Sequence, residues 1–255
     1  MGWGPEPVWS PAAITSITDA CPSGKSVSIE LSVPLEAFKS YAIPGQYVQV
    51  KPAGGGDDDA IQPAFLAICS GPPSSDDAAS SPTFQFLVKR TGNNEWLTDA
   101  TVGTAIQVSQ VLGNGYNIVE NIDGLKYDFP TQNVLLFAAG SGIAPIAAAI
   151  SSGMLNTSSR SCRLYYGERT SADLCFVEQF IQWENQGIEV VPVLSQPDDD
   201  WNGRCGYVQT ALSEDGIPIP RNTGALLCGM KGMTESVKEL LLSAGVFDGR
   251  VLFNF

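Results

Sequence analysis

At 255 residues, 44% hydrophobic and 16% charged, the chain is long enough for two globular domains with cores of their own. A net charge of −13 argues against a nucleic-acid or anionic-lipid surface, and no apolar run reaches the length of a membrane span. Histidine is absent, which excludes Ser-His-Asp and Cys-His nucleophiles and most catalytic zinc centres and favours chemistry carried by a bound cofactor.

The opening residues Met1-Gly-Trp-Gly-Pro5 lack the basic start and apolar stretch of a secretory signal. Apolar and polar residues then alternate over 27–33, 47–50, 83–88 and 105–111, the period of half-buried strands. Turn signals separate them at Pro44-Gly45, Pro52, Gly71 and Gly113-Asn-Gly115. This spacing predicts a small antiparallel β-barrel over residues 1–128, interrupted by one helix over 94–100 with Asn93 or Asn94 as N-cap. Residues 54–60 and 70–82 are low in complexity and read as surface loops. Asp57-Asp-Asp59 and Asp198-Asp-Asp200 read as solvated acidic loops in preference to calcium sites, and the turn at Asn114 as a bend leaving the barrel.

Beyond a linker near 123–131 the rhythm changes. Apolar strands are predicted over 134–138, 162–166, 188–194, 224–228 and 250–253, and helices over 144–155, 175–186, 207–212 and 234–244. Alternation of this kind makes residues 129–255 an α/β domain with a parallel sheet and right-handed crossovers. Ligands of such sheets lie outside the carboxyl ends of the strands, where the loops 140–145, 167–173, 195–203 and 229–233 converge. The first of these loops carries the sharpest signal. Gly140, Ser141 and Gly142 break an apolar strand, and Ile143, Ala144 and Pro145 open an alanine-rich helix. Strand, glycine turn and helix start let backbone N–H groups and the helix dipole meet a diphosphate, although the spacing is not GxGxxG and such turns also merely connect elements. Six cysteines without a CxxC pair read as reduced thiols.

A barrel followed by this sheet, with Gly140-Ser-Gly-Ile-Ala-Pro145, Tyr166-Gly-Glu-Arg169 and Cys228-Gly-Met-Lys-Gly-Met233 at the strand ends, resembles the ferredoxin–NADP reductase superfamily over nearly the whole chain. Pro44-Gly-Gln-Tyr47, Phe65-Leu-Ala-Ile68, Leu194-Ser-Gln-Pro-Asp-Asp199 and Val251-Leu-Phe-Asn-Phe255 are similar to its plant plastid "fruit protein" group. The resemblance implies an FAD-binding barrel, a NAD(P)-binding sheet, a plastid location and hydride transfer from NADH or NADPH to FAD, with electrons passed on to a protein or quinone-like acceptor. It places the diphosphate on Gly140–Ala144 and the nicotinamide beside Cys228, Gly229, Met230 and Met233. It assigns Tyr166, Gly167 and Arg169 to the nucleotide and Phe255 to the ring covering the flavin. Cys228 and Phe255 also read as simple core residues, and Tyr207 as core or as an aromatic near the adenine.

The sequence departs from the family in its flavin motif RxYS. Aligned on Ile68-Cys-Ser70, the Arg, Tyr and Ser positions hold Ala64, Leu66 and Ala67, and a one-residue shift puts Phe65 in the aromatic place. Losing a buried Arg–phosphate pair costs about 2–3 kcal/mol, and Lys89 with Arg90, or the turn Gly92, Asn93, Asn94, are the replacement candidates. In the loop that would meet a 2′-phosphate, Ser195, Gln196 and Trp201 surround three aspartates. This leans towards NADH over NADPH unless Arg169 or Arg204 swings in. Trp201 reads equally as a loop anchor or an adenine-stacking ring. The degenerate motif also supports a rival reading, an inactive reductase fold serving as a structural or regulatory part of a larger complex, such as a photosynthetic one.

Overall fold

In the computed structural model, which describes residues 6–54, 61–73, 82–124 and 126–254, the chain folds into two six-stranded sheets. The first is antiparallel and built from β1 (Ser10–Asp19), β2 (Ser26–Ser32), β3 (Tyr47–Pro52), β4 (Ala64–Ala67), β5 (Thr83–Lys89) and β6 (Ala105–Val108), in the order β4-β3-β6-β1-β2-β5. Its ends meet through a bridge between Ile68 and Phe86, supported by the Cys69 amide donating to the Gln85 carbonyl at 2.8 Å, which curls the sheet into a barrel. Register follows the apolar alternation. Ile29 faces Phe86 and Leu31 faces Phe84 across the β2–β5 ladder, and all four are buried. Each such burial contributes about 1.5–3 kcal/mol. Two short helices, α1 (Leu35–Ser40) and α2 (Glu95–Thr98), decorate this sheet.

The second sheet is wholly parallel, with β7 (Asn133–Ala139), β8 (Ser161–Glu168), β9 (Ile188–Leu194), β10 (Arg204–Cys205), β11 (Thr223–Cys228) and β12 (Val251–Phe253) in the order β10-β9-β8-β7-β11-β12. Residues of β7 divide between two cores. Val134, Leu136 and Ala138 pack with α3 (Ile143–Ser151) and Trp183 of α4 (Val177–Asn185), whereas Leu135 and Phe137 pack with α5 (Val208–Asp215) and α6 (Lys231–Ala244). Burial on both faces is why this strand reads as a continuous apolar run. The first of these cores also takes in Leu87 of β5 and Cys21, Cys69 and Tyr116 from segments flanking the barrel strands, so apolar packing crosses the seam. Polar ties join it: Lys25 Nζ meets Asp173 at 2.9 Å, Ser23 N donates to the Ala172 carbonyl at 2.9 Å, and Tyr116 Oη donates to the Leu227 carbonyl at 3.2 Å.

Several boundaries differ from the sequence pattern for local reasons. β6 stops at Val108, not residue 111, because the Ser109 hydroxyl takes the Gln49 amide at 2.8 Å in place of a ladder bond. α3 ends at Ser151, where Ser152 turns its hydroxyl back to the Ala149 carbonyl and Gly153 adopts φ +70°. α4 starts at Val177 because Phe176 is left-handed at φ +60° and the Cys175 amide donates to Tyr166 Oη at 3.2 Å. Conversely α6 begins at Lys231, three residues earlier than its apolar period indicates. β1 and the short β4 lacked a readable alternation. All six cysteines are free thiols, only Cys205 being exposed. No described helix is long and apolar enough to cross a membrane. Phe255 and Asp57–Asp59 lie outside the described residues.

Candidate functional site

A cleft of about 1010 Å³ runs between the barrel and the carboxyl edge of the parallel sheet. All four converging loops reach it: Gly140, Ser141 and Gly142 after β7, Gly167 to Arg169 at the end of β8, Ser195 and Gln196 after β9, and Cys228 to Met230 after β11. The turn Gly140–Gly142 sits at the head of α3. Gly140 needs its glycine for φ +58°, and no heavy atom would lie closer than 4.0 Å to a Cβ added there. Gly142 is a glycine for a different reason, since a Cβ would collide with the Cys228 carbonyl. This close approach fixes the helix start against the end of β11. α3 has no side-chain cap and no charged residue in its first turn, so the helix start offers amides to a ligand apart from that of Ile143, which donates back to the Gly140 carbonyl, and Pro145, which has none. Ala144 and Pro145 also line the cleft. Ile143 does not; it is fully buried beneath them.

The floor and walls differ in chemistry. Cys228 is 8% exposed, and burial pushes its thiol up to about 12, with the Tyr116 hydroxyl pulling only weakly the other way. It presents a neutral sulfur beside Gly229, Met230 and Met233. Tyr166 lies under the cleft, fully buried, and donates from Oη to Glu168 Oε1 at 3.2 Å. Burial raises the Glu168 carboxyl above its ordinary value despite that bond. Asp173 is the opposite case. Burial acts to raise it, but Lys25 and hydroxyls of Ser23 and Thr170 outweigh burial and hold it low.

On the barrel side stand Lys25, Tyr47, Phe65, Ala67, Leu87 and Lys89. Phe65 is 64% exposed and tilts against Tyr47 with ring centroids 5.9 Å apart, forming an aromatic shelf open to the cleft. Pairing of β4 with β3 sets which residues face it: Leu66 opposes Val48 and turns into the barrel core, and Phe65 and Ala67 turn out. Leu66 therefore touches the cleft only at its margin, and Ile68, with no exposure, is barrel core. Gly92, Asn93 and Asn94 lie outside the cleft. The Asn94 amide closes its own turn, taking the Thr91 N–H and donating to the Lys89 carbonyl, both at 2.8 Å. Arg90 points to Asp19 and Asp99. Of the cationic candidates on this side, Lys89 lines the cleft and has no ion pair among the described residues.

At the nucleotide end, Arg169, Gln196 and Tyr207 line the cleft, and Tyr207 is 60% exposed. Trp201 and Arg204 do not. The Trp201 ring covers Gly203 and its Nε1 donates to the Arg204 carbonyl at 3.0 Å, which anchors the loop. Arg204 is spent on Glu214, at 2.8 Å, and on Asp215. Sequence reasoning assigned no site role to Lys25, Tyr47, Glu168, Asp173 or Asn254; Tyr47, Glu168 and Asn254 stand inside motifs quoted above, whereas Lys25 and Asp173 gain their place only through tertiary contact. Lys25, Lys89 and Arg169 set three positive charges against the carboxylates of Glu168 and Asp173, and with Lys25 paired to Asp173 the cations left to a ligand are Lys89 and Arg169.

The profile of the oxidoreductase NAD-binding domain family matches residues 136–239. Over 249 residues the chain is 31% identical to fruit protein pKIWI502 of Actinidia deliciosa, covering 96% of this chain and 76% of that protein. It is 29% identical over 133 residues to one component of the Na(+)-translocating NADH-quinone reductase of Histophilus somni, a match spanning 49% of this chain and 33% of that component. A ferredoxin NADP+ reductase from Neisseria gonorrhoeae with bound FAD and NADP superposes with a TM-score of 0.75 at 15% identity, covering 96% of this chain and 97% of that one.

Proposed function

The chain belongs to the ferredoxin–NADP reductase superfamily, and on that premise we propose that it is an FAD-dependent oxidoreductase that takes hydride from NAD(P)H and passes electrons to a separate acceptor. The observation that carries the reading is the uncapped head of α3, opening into a cleft that holds Lys89 and Arg169 and also reaches an aromatic shelf. Residues 1–128 would serve the flavin and 129–255 the nucleotide.

The residues fit the nicotinamide dinucleotide well. Gly140–Ala144 would take its diphosphate through backbone N–H groups, with Gly140 leaving room for it. Neutral Cys228 and Gly229 would bound the nicotinamide, and Tyr207 and Arg169 the adenosine end. The flavin fits with altered partners: Phe65 and Tyr47 would carry the ring, and Lys89 would replace the missing arginine as the pyrophosphate cation. When bound, FAD would supply acceptance of one hydride, with its two electrons, and their release one at a time. The protein's own task is to hold two ligands in one cleft with their reactive ends adjacent. With Arg204 committed to Glu214 and Asp215, and Asp198–Asp200 in the same loop, a 2′-phosphate has no free cation there except Arg169 among the described residues. NADH is therefore the preferred donor. A plastid location rests on the plant relative and on the resemblance of Val251–Phe255.

The test is the flavin content of the purified chain with NADH- and NADPH-driven reduction of an artificial dye. Bound FAD with faster NADH turnover supports the reading. A chain that stays colourless in excess FAD and reduces no dye contradicts it. That result would favour an inactive, complex-bound role, which the alanines at 64 and 67 support.

A further inference from the structure

Asn254 follows β12, inside the segment Val251–Phe255 whose resemblance assigns a role only to Phe255. It lines the same cleft as Cys228 and Tyr47, yet is only 2% exposed. Its side-chain Oδ1 is buried without a hydrogen-bond partner among the described residues. It packs into a crowded corner. A Cβ added to Gly45 would stand 2.9 Å from the Tyr116 ring and 3.0 Å from the Asn254 Cβ, and one on Gly113, 2.8 Å from the Tyr47 ring, would be in ordinary contact at 3.7 Å with the Asn254 carbonyl oxygen. The nearby Tyr116 hydroxyl is already directed at the Leu227 carbonyl, so it does not satisfy the amide. A buried amide oxygen left unpaired is unfavourable, and an aliphatic side chain of similar size would fill the corner without that cost.

We propose that Asn254 is a ligand-binding residue whose side-chain amide, on turning about χ2 to bring its unpaired Oδ1 to the cleft, accepts a hydrogen bond from the amide or imide N–H of a ring bound there. This rests on the flavoreductase reading. Two ligands there share the donor chemistry: the carboxamide of nicotinamide and the imide edge of the flavin. The position of Asn254, at the corner where the end of β12 meets Gly45 and Gly113 of the barrel, gives it reach to the place where the two rings must adjoin.

Isothermal titration of the full chain and of Asn254→Leu with FAD, NAD+ and ADP-ribose, together with the ligand-free Tm, tests the assignment. The expected result is about tenfold weaker binding of FAD or of NAD+, unchanged affinity for ADP-ribose, and a ligand-free Tm equal to or above that of the parent. Loss for FAD alone assigns the bond to the flavin imide; loss for NAD+ alone assigns it to the nicotinamide carboxamide. Should the leucine overpack, Asn254→Ala is the second variant, with the same ligand pattern expected. Unchanged affinity for both FAD and NAD+, or parallel weakening of all three ligands with a lowered Tm, overturns the proposal and leaves the reductase reading standing. A parent chain that binds neither FAD nor NAD+ removes both.

Discussion

The two walls of the cleft are made differently. On the parallel-sheet wall the groups offered to a ligand are backbone amides at Gly140–Gly142, held by a helix start that tolerates no side chain against Cys228. On the barrel wall they are side chains, with Phe65 and Tyr47 supplying apolar area and Lys25 and Lys89 supplying charge. A backbone site is rigid because strand, turn and helix are each locked by packing, and it depends on a few obligatory glycines. A side-chain site depends on register and can exchange its residues. It follows that the nucleotide wall should respond to substitution abruptly and the flavin wall in graded steps.

The largest expected effect is on the backbone wall. Gly142→Val should destabilise the fold by about 1–3 kcal/mol through overpacking and should lower NADH affinity at least about tenfold, read by denaturant unfolding and titration. Normal binding by a stable Gly142→Val chain would break the contrast between the walls. Next comes Lys89→Met. Removing the unpaired cation should weaken FAD about tenfold to a hundredfold, as for a charge-assisted bond worth about 1.5–3 kcal/mol, with NADH affinity unchanged. If FAD binds equally well, charge on the barrel wall comes from elsewhere. Phe65→Ala should cost FAD about threefold to tenfold, in line with about 0.5–1.5 kcal/mol for aromatic contact. Its exposure means that the unfolding midpoint should not move.

The smallest effect is in pH dependence, where two cleft carboxyls act in opposite directions. Asp173 is held below its unfolded value, so its contribution to stability is present above that value and is lost as pH falls through the folded one. Glu168 is raised, so the folded chain keeps a proton that the unfolded chain has released. Stability then declines as pH climbs from the unfolded value through the folded one. Glu168→Gln should remove that decline, and Lys25→Met should remove most of the loss in acid, because Asp173 then no longer titrates below its ordinary range. Unfolding midpoints across mildly acidic pH measure both.

How much was legible in the sequence follows the same division. The barrel-plus-parallel-sheet architecture was readable because residues 27–33 alternate strictly, 83–86 continue the pattern, and 134–138 do not alternate at all. Gly140 and Gly142 were readable because backbone geometry leaves glycine there as the only fit. Along the barrel wall, one strand register decides which of Phe65, Leu66 and Ala67 faces out, and four residues of β4 carry too short a pattern to fix it. Trp201 and Arg204 illustrate another limit. Both types suit nucleotide binding, but Gly203 and the carboxylates of α5 claim them first, and those partners are visible only in three dimensions. Lys25 and Asp173 are 148 residues apart in the chain and gain meaning only from their contact.

One continuous cleft that brings the donor's nicotinamide to a flavin is tested most directly by anaerobic titration of the FAD-loaded chain with NADH while the oxidised-flavin absorbance is followed. The expected result is bleaching complete near one equivalent of NADH, with NADPH slower. Flavin that stays oxidised in excess NADH and excess NADPH, in a chain that binds both ligands, would contradict it.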